Sequence, residues 1–464
     1  MTVIESIEEH PSECDGSRAR GSRLSVLRLR DFRLLLIGES ISLLGDQFSL
    51  IALPWLVLQL TGDALAVGTV LALAGIPRAL FMLVGGALTD RFSPRTLMLL
   101  SNLLRLVLVG MQAALVLTGA IEAWMVYPFA LCFGLADAFF YPAQSAIVPR
   151  LVDMDRLQAA NSLVGGVAQV SQVAGPVLAG ALIALLSGAH PGAGVGDVGG
   201  DAPDLYGTGI AFVIDALTFV ASVFTLQMIR LPRAQAAAPS ADEAVQPAAP
   251  GDLIASIVQG IRHVWDDDAL RWVFVIIAAV DFLVLGPLLV GIPVLADTRL
   301  AEGAMAFGIV MSALGGGALL GIVLAGALPK PSPRHLGPLM VGLTGLFGAA
   351  LVVFGLTIST SIIAIASFCV GAANGYVNIV FMTWLQSRIP ISMLGRVMSL
   401  LMFASVGVVP VSQALCGALV TVSLSGVFVG AGMLLLLVTM RIMFVPAVRD
   451  MGLPVAAIAD ENVD

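Results

Sequence analysis

Apolar residues in this chain collect into a dozen long stretches separated by short polar gaps. Crossing a hydrocarbon core ~30 Å thick takes roughly 20 mostly apolar residues in helix, and a helix satisfies its own backbone hydrogen bonds there. The pattern therefore predicts twelve membrane-spanning helices. Six are placed near Phe32 to Leu60, Leu65 to Thr89, Thr96 to Leu117, Trp124 to Val148, Leu157 to Leu186 and Gly209 to Met228. Six more follow near Trp272 to Leu295, Ala304 to Leu328, Leu336 to Leu356, Ser361 to Leu385, Met393 to Val422 and Val427 to Phe444.

The polar gaps differ in charge by turns. Of the 23 Lys and Arg residues, 20 fall in every second gap or at the chain ends. Arg299 alone lies in an opposite gap, and Arg78 and Arg105 lie inside spans. Because cytoplasmic loops carry the Lys/Arg excess, both termini are expected in the cytoplasm and the protein in the cytoplasmic (inner) membrane. The first span is too long for a signal-peptide core and lacks a small-residue cleavage site, so it is retained.

Composition narrows the class. A content of 58% hydrophobic and 12% charged residues, with mean hydropathy +0.98, excludes a soluble globular domain. The net charge of −8 says little about partners, and no basic surface is left over for nucleic acid. Cys14, Cys132, Cys369 and Cys416 have no metal-ligand spacing, and no nucleophile and base pair stands out. Neither metal, cofactor nor enzymatic activity is expected.

Sliding the chain against itself by 237 positions aligns Cys132-Phe-Gly134-Leu-Ala136-Asp137 with Cys369-Val-Gly371-Ala-Ala373-Asn374. The same register pairs Ser162 with Ser399 and Gly180 with Gly417. Repeats six helices apart start on the same side of the membrane, so the expected fold is all-α, with two parallel six-helix repeats about an axis along the membrane normal. The domains are a cytoplasmic tail 1–31, a first bundle 32–230, a linker 231–270, a second bundle 271–446 and a tail 447–464. Within the linker, Asp252 to Asp267 has helical apolar periodicity and is expected to lie on the membrane surface. Asp197, Asp201 and Asp204 stand in the Gly-rich external segment, where a flexible loop outweighs a calcium site because ordered ligand spacing is missing.

The segment Gly86-Ala-Leu88-Thr-Asp90-Arg91-Phe-Ser93-Pro94-Arg95 resembles the signature loop of the major facilitator superfamily, Gly-x-Leu-Ala-Asp-Arg-x-Gly-Arg-Lys; Ser93 and Pro94 depart from it. Gly45-Asp46-Gln47, Ser101-Asn-Leu-Leu-Arg105, Phe212-Val-Ile-Asp215 and Gly260-Ile-Arg-His-Val-Trp265 look like the branch holding enterobactin exporters and macrolide-type efflux proteins. The resemblance implies export of a small amphiphilic substrate coupled to inward proton flow. Gly175, Pro176 and Gly180 resemble the Gly-Pro element of superfamily antiporters. An Asp90 to Arg396 latch, with Gly86, Arg91 and Arg95 in the same loop, is expected to close the cytoplasmic side.

An ionisable side chain at mid-membrane costs at least ~3 kcal/mol, so each needs a partner, water or a task. Asp46 lies deep in the first span, and Glu39, Ser42, Asp46 and Ser49 share one helix face. Two roles are open to Asp46: proton coupling, with Glu39 and Asp137, or a permanent ion pair with Arg78 or Arg105. Asp137 stands where many drug/proton antiporters of the superfamily carry Arg, and an ion pair with Arg105 is its other open role. Asp215 is assigned to helix packing. Asp281, with no intramembrane base in its half, is a candidate contact for cationic cargo, and Gln169, Gln172, Asn374 and Asn378 are candidate cavity residues or interhelical hydrogen-bond donors. The favoured function is proton-coupled export by alternating access, a monomer sufficing and the partners being substrate, protons and membrane lipid. The alternatives are an importer or uniporter of the same fold, and a transport-inactive sensor or scaffold.

Overall fold

The computed structural model of the chain describes residues 26–187, 205–230, 261–262, 264–329, 331–389, 391–449 and 451. Within helices, the side chains at 83, 87, 90, 91, 391, 392, 394–396, 399, 403 and 404 lie outside that description. The tails, the external Asp/Gly segment and most of the surface helix expected at 252–267 therefore lie outside the described residues.

Among the described residues, twelve helices are long and apolar enough to cross a membrane. In the first half they are α1 (Arg30–Thr61), α2 (Ala64–Arg91), α3 (Pro94–Leu117), α4 (Ala123–Ile147), α5 (Met154–Leu186) and α6 (Tyr206–Met228). In the second half they are α7 (Asp268–Arg299), α8 (Ala304–Ala327), α9 (Leu336–Leu356), α10 (Thr360–Arg388), α11 (Ile391–Val420) and α12 (Leu424–Met443). Their boundaries follow local chemistry. Gly62, at φ 62°, ends α1 in the left-handed conformation, and the next residue, Asp63, accepts from Leu65 N at 2.9 Å to start α2. Large apolar side chains such as Leu100, Val107, Phe224 and Leu437 stay exposed around the outside. In water this coat would aggregate, whereas in lipid it is the solvated surface.

The two halves repeat one packing plan. In the first, α2 packs on α4 and α3 on α6; in the second, α8 packs on α10 and α9 on α12. The halves meet through α5 against α8 and α11 against α2, a pair of contacts that a twofold axis exchanges. Gly180 meets Gly308 at the first crossing, and its repeat mate Gly417 meets Gly68 at the second.

Buried apolar residues separate into three cores. One spans both halves and includes Ile51, Phe212, Phe307 and Phe428. The other two stay within single halves, around Phe32, Met98 and Ile147 and around Leu270, Trp384 and Ile442. The shared core holds the helix ends opposite the termini, where Gln59 also donates to Asp297 across the halves at 2.7 Å. On the terminal face the cores have parted, and a Cβ built on Gly86, Gly165, Gly166 or Gly326 meets nothing within 4 Å. The halves are thus closed on one face and open on the other.

At the terminal face of the second half, Asp267 caps α7, accepting from Ala269 N at 2.9 Å and Leu270 N at 3.2 Å. Arg388, at the end of α10, donates to both carboxylate oxygens at 2.9 and 3.2 Å. Burial opposes ionisation of Asp267, but the bonds from Arg388 and the two backbone N–H groups outweigh it and hold the carboxyl below its ordinary 3.8. A carboxyl lowered in this way stabilises the fold above its unfolded pKa and loses that contribution as pH falls through the folded value. The unfolding temperature of the intact chain should therefore exceed that of Asp267→Asn above about pH 5, with the gap closing as acid titrates the group. A gap independent of pH would assign the role to shape alone.

Candidate functional site

The first half holds a charged cluster at mid-span. Arg105 of α3 is 1% exposed and donates to Asp137 of α4, whose other oxygen lies 3.7 Å from Arg78 of α2. The Arg105 guanidinium also sits 4.1 Å from the Phe140 ring centroid and within 6 Å of Phe133, Tyr141 and Phe219. An aromatic cage of this kind favours a desolvated cation. Arg105 Nε and one Nη of the same group nevertheless find no partner among the described residues.

Helix α1 presents the remaining acids. Glu39, 2% exposed, accepts from Gln144 of α4 at 2.5 Å, and its second oxygen is unpaired. Asp46 makes no ion pair among the described residues; one of its oxygens is buried and unpaired, although Arg105 and Asp137 lie within electrostatic reach. The permanent Asp46 pair with Arg78 or Arg105 is not formed, because both guanidinium groups converge on Asp137 instead. Asp215 of α6 is fully buried and accepts from Ser49 of α1 and from Thr218 at 3.4 Å. Four carboxyls thus share two guanidinium groups. Full ionisation would leave two of the four negative charges without a counter-ion among the described residues.

The second half contains a cavity of about 630 Å³. Its walls are single-face stripes of four helices: Ile277, Val280 and Asp281 of α7; Met340, Thr344 and Phe347 of α9; Asn374, Asn378 and Phe381 of α10; Met398, Met402 and Ser405 of α11. Asp281, Asn374 and Asn378 meet here. The other two candidate cavity residues do not line it. Gln169 of α5 donates to the Gly315 carbonyl of α8 at 2.9 Å, and Gln172 stands one turn further along the same crossing.

Of the loop expected to gate the terminal face, Arg95 donates to the Leu226 and Gln227 carbonyls, both at 2.7 Å, and so caps the end of α6. Gly86 is open to space, and the side chains of Asp90, Arg91 and Arg396 lie outside the described residues. Gly175 packs against Gln47 of α1, while Pro176 and Gly180 form the α5 side of the crossing with α8.

Two features carried no distinct sequence signal. Gln144, partner of Glu39, is an ordinary polar residue in an apolar helix. Ser412 of α11 accepts from Gly286 N at 3.0 Å and donates to the Phe282 carbonyl at 2.5 Å. It thereby inserts into one rung of α7 directly before a π-helical turn at Pro287–Gly291. The α11 wall of the cavity was also missed, although Met398, Leu401, Met402 and Ser405 recur at helical spacing.

Comparison with known proteins places this geometry among transporters. The model of the Major Facilitator Superfamily matches residues 35–412. The chain is 26% identical over 419 residues to the multidrug efflux pump Tap of Mycolicibacterium fortuitum, covering 88% of this chain and 94% of that protein. It is 23% identical over 439 residues to Tap of Mycobacterium tuberculosis, covering 93% and 97%. Among solved structures, the nucleoside transporter NupG superposes with a TM-score of 0.61 at 13% identity, over 91% of this chain and 98% of that one.

Proposed function

The chain belongs to the major facilitator superfamily, and on that premise we propose that it is a proton-coupled exporter of amphiphilic small molecules, working by alternating access in the cytoplasmic membrane. The observation that carries this reading is the charge imbalance in the first half, where four membrane-embedded carboxyls share Arg78 and Arg105. A group that needs a proton to be electroneutral can take it up on one side and release it on the other as the halves rock. Asp46, with its unpaired oxygen, is the coupling carboxyl; Glu39 lies two turns away on the same face, and Asp137 shapes the field through Arg105.

The Lys/Arg distribution supports cytoplasmic termini, which turns the open face toward the cytoplasm, the side from which an exporter loads. Relatives named as multidrug efflux pumps support the outward direction. One proton entering down a pH difference of about one unit supplies about 1.4 kcal/mol, enough for roughly a tenfold gradient even of a cargo whose positive charge makes the exchange electroneutral. Tight cargo binding is unnecessary, and a mostly apolar cavity suffices.

The test is cargo-triggered proton release from energised inside-out vesicles, with a panel of lipophilic drugs and siderophores. The intact chain should release protons, and Asp46→Asn should abolish the signal while remaining folded. Release that persists in the variant would move the coupling group to Glu39. Silence of the folded intact chain with every cargo would sink antiport.

A further inference from the structure

We propose that the cavity within the second half is the cargo site, and that it takes an amphiphile with one positive charge flanked by apolar groups, held by the carboxylate of Asp281. The inference rests on the export reading and adds the class of cargo.

The first argument is charge. Asp281 hydrogen-bonds Ser405, and among the described residues no Lys, Arg or His lines the cavity around it. An ionised carboxylate here has no counter-ion among the described residues, unlike Asp137 with its two guanidinium groups. A bound monocation supplies the missing charge; an anion is repelled, and a polycation leaves charge unmatched in an apolar enclosure.

The second argument is shape. The main cavity, about 630 Å³, lies toward the open terminal face and falls within the range of small-molecule sites. A smaller chamber of about 140 Å³ lies beyond, lined by Leu288, Leu351, Phe354 and Val370, and the two share Asp281, Val280, Phe347 and Asn374. The carboxylate thus stands at the neck between two apolar spaces. A cation at the end of a molecule would leave one of them empty. A tertiary or quaternary centre substituted on several sides fills both.

The third argument is the wall. Met340, Met382, Met398 and Met402 face the cavity, and unbranched thioethers repack around differently shaped ligands. Phe347 and Phe381 line the same wall, and aromatic rings favour a desolvated cation. Charge is thereby selected strictly and shape loosely.

The experiment is equilibrium binding of radiolabelled tetraphenylphosphonium to the purified chain in lipid nanodiscs, with empty nanodiscs subtracted. The intact chain should bind it. Asp281→Asn should weaken binding at least tenfold, Asp281→Glu should restore most of it, and Asp46→Asn should leave a site. Uncharged triphenylphosphine oxide and the polycation spermine should fail to compete. Equal affinity in a folded Asp281→Asn variant, competition by the neutral analogue, or no binding to the intact chain would each overturn the proposal. Because binding needs no gradient, the two readings separate. Asp281-dependent binding without proton release refutes export and keeps the site. Cargo-driven proton release that Asp281→Asn leaves intact refutes the site and keeps export.

Discussion

Arg105→Met should cost about 3 kcal/mol of folding stability, near the low end of the range for breaking a buried ion pair. The loss arises less from the missing attraction than from what is left behind. Asp137 would stay buried on α4 facing only Arg78, at 3.7 Å, and the Phe133, Phe140 and Phe219 rings would lose the cation they surround. Asp137→Asn alone should be damaging for the converse reason, since it leaves a 1% exposed guanidinium without its carboxylate. The double variant removes both charges and should recover most of the stability, a coupling that independent sites would not give. Thermal unfolding read by maleimide capture of buried Cys416, in a background with Cys14, Cys132 and Cys369 replaced by Ser, would report it. If the three variants simply add, the pair is not a structural unit. The double variant also sharpens the coupling assignment: proton release that survives in it excludes Asp137 and leaves the α1 carboxyls.

The membrane-spanning plan was legible because hydropathy and helix length are set by the same slab of lipid. Leu336–Leu356 was read to the residue, whereas α7 begins at Asp268, four residues before the apolar window. The difference is chemical: Asp267 caps the helix in the polar layer, so the helix outruns its apolar stretch. Position along a helix was equally legible, and Asp46, Asp137 and Arg105 lie well inside α1, α4 and α3 as expected. Partner choice was legible only in part: an Asp137 pair with Arg105 was among the open readings and is formed, whereas an Asp46 pair with Arg78 or Arg105 was equally open and is not. Which carboxylate Arg105 meets depends on the rotation of α1, α3 and α4 about their own axes, and rotation is set by interhelical packing such as Gly45 against Thr218 and Asp215. The second-half cavity was legible only in its polar positions, Asp281, Asn374 and Asn378, and its apolar walls were hidden for a related reason. Each helix contributes only one stripe, and four unremarkable stripes become a chamber only once they face one another. The Gly180 and Gly417 repeat was visible, but its meaning as two equivalent crossings required Gly308 and Gly68 beside them.

Those crossings set the second large effect. Gly308→Val is expected to drive the halves apart on the face that is now closed. A Cβ at Gly308 would lie 3.2 Å from the Gly180 Cα and nearer still to the Pro176 carbonyl, and backbone cannot yield as a flexible side chain does. Overpacking of this kind costs roughly 1–3 kcal/mol. The whole penalty falls on the closed arrangement, and an arrangement with α5 and α8 separated escapes it. The population ratio should therefore move about 5- to 150-fold. Disulfide formation between Gln59→Cys and Asp297→Cys, in a background without the native cysteines, should fall, because those two side chains touch only while this face is shut. Unchanged cross-linking would show that the helices absorb the methyl groups locally. On the opposite face the same chemistry should act in reverse. A Cβ at Gly166 meets nothing within 4 Å here, so Gly166→Val should be silent in this conformation and penalise only one that closes the terminal face. Two valines, one on α8 at the closed crossing and one on α5 toward the open face, should then stop transport from opposite sides of a single equilibrium, with cross-linking raised by one and lowered by the other.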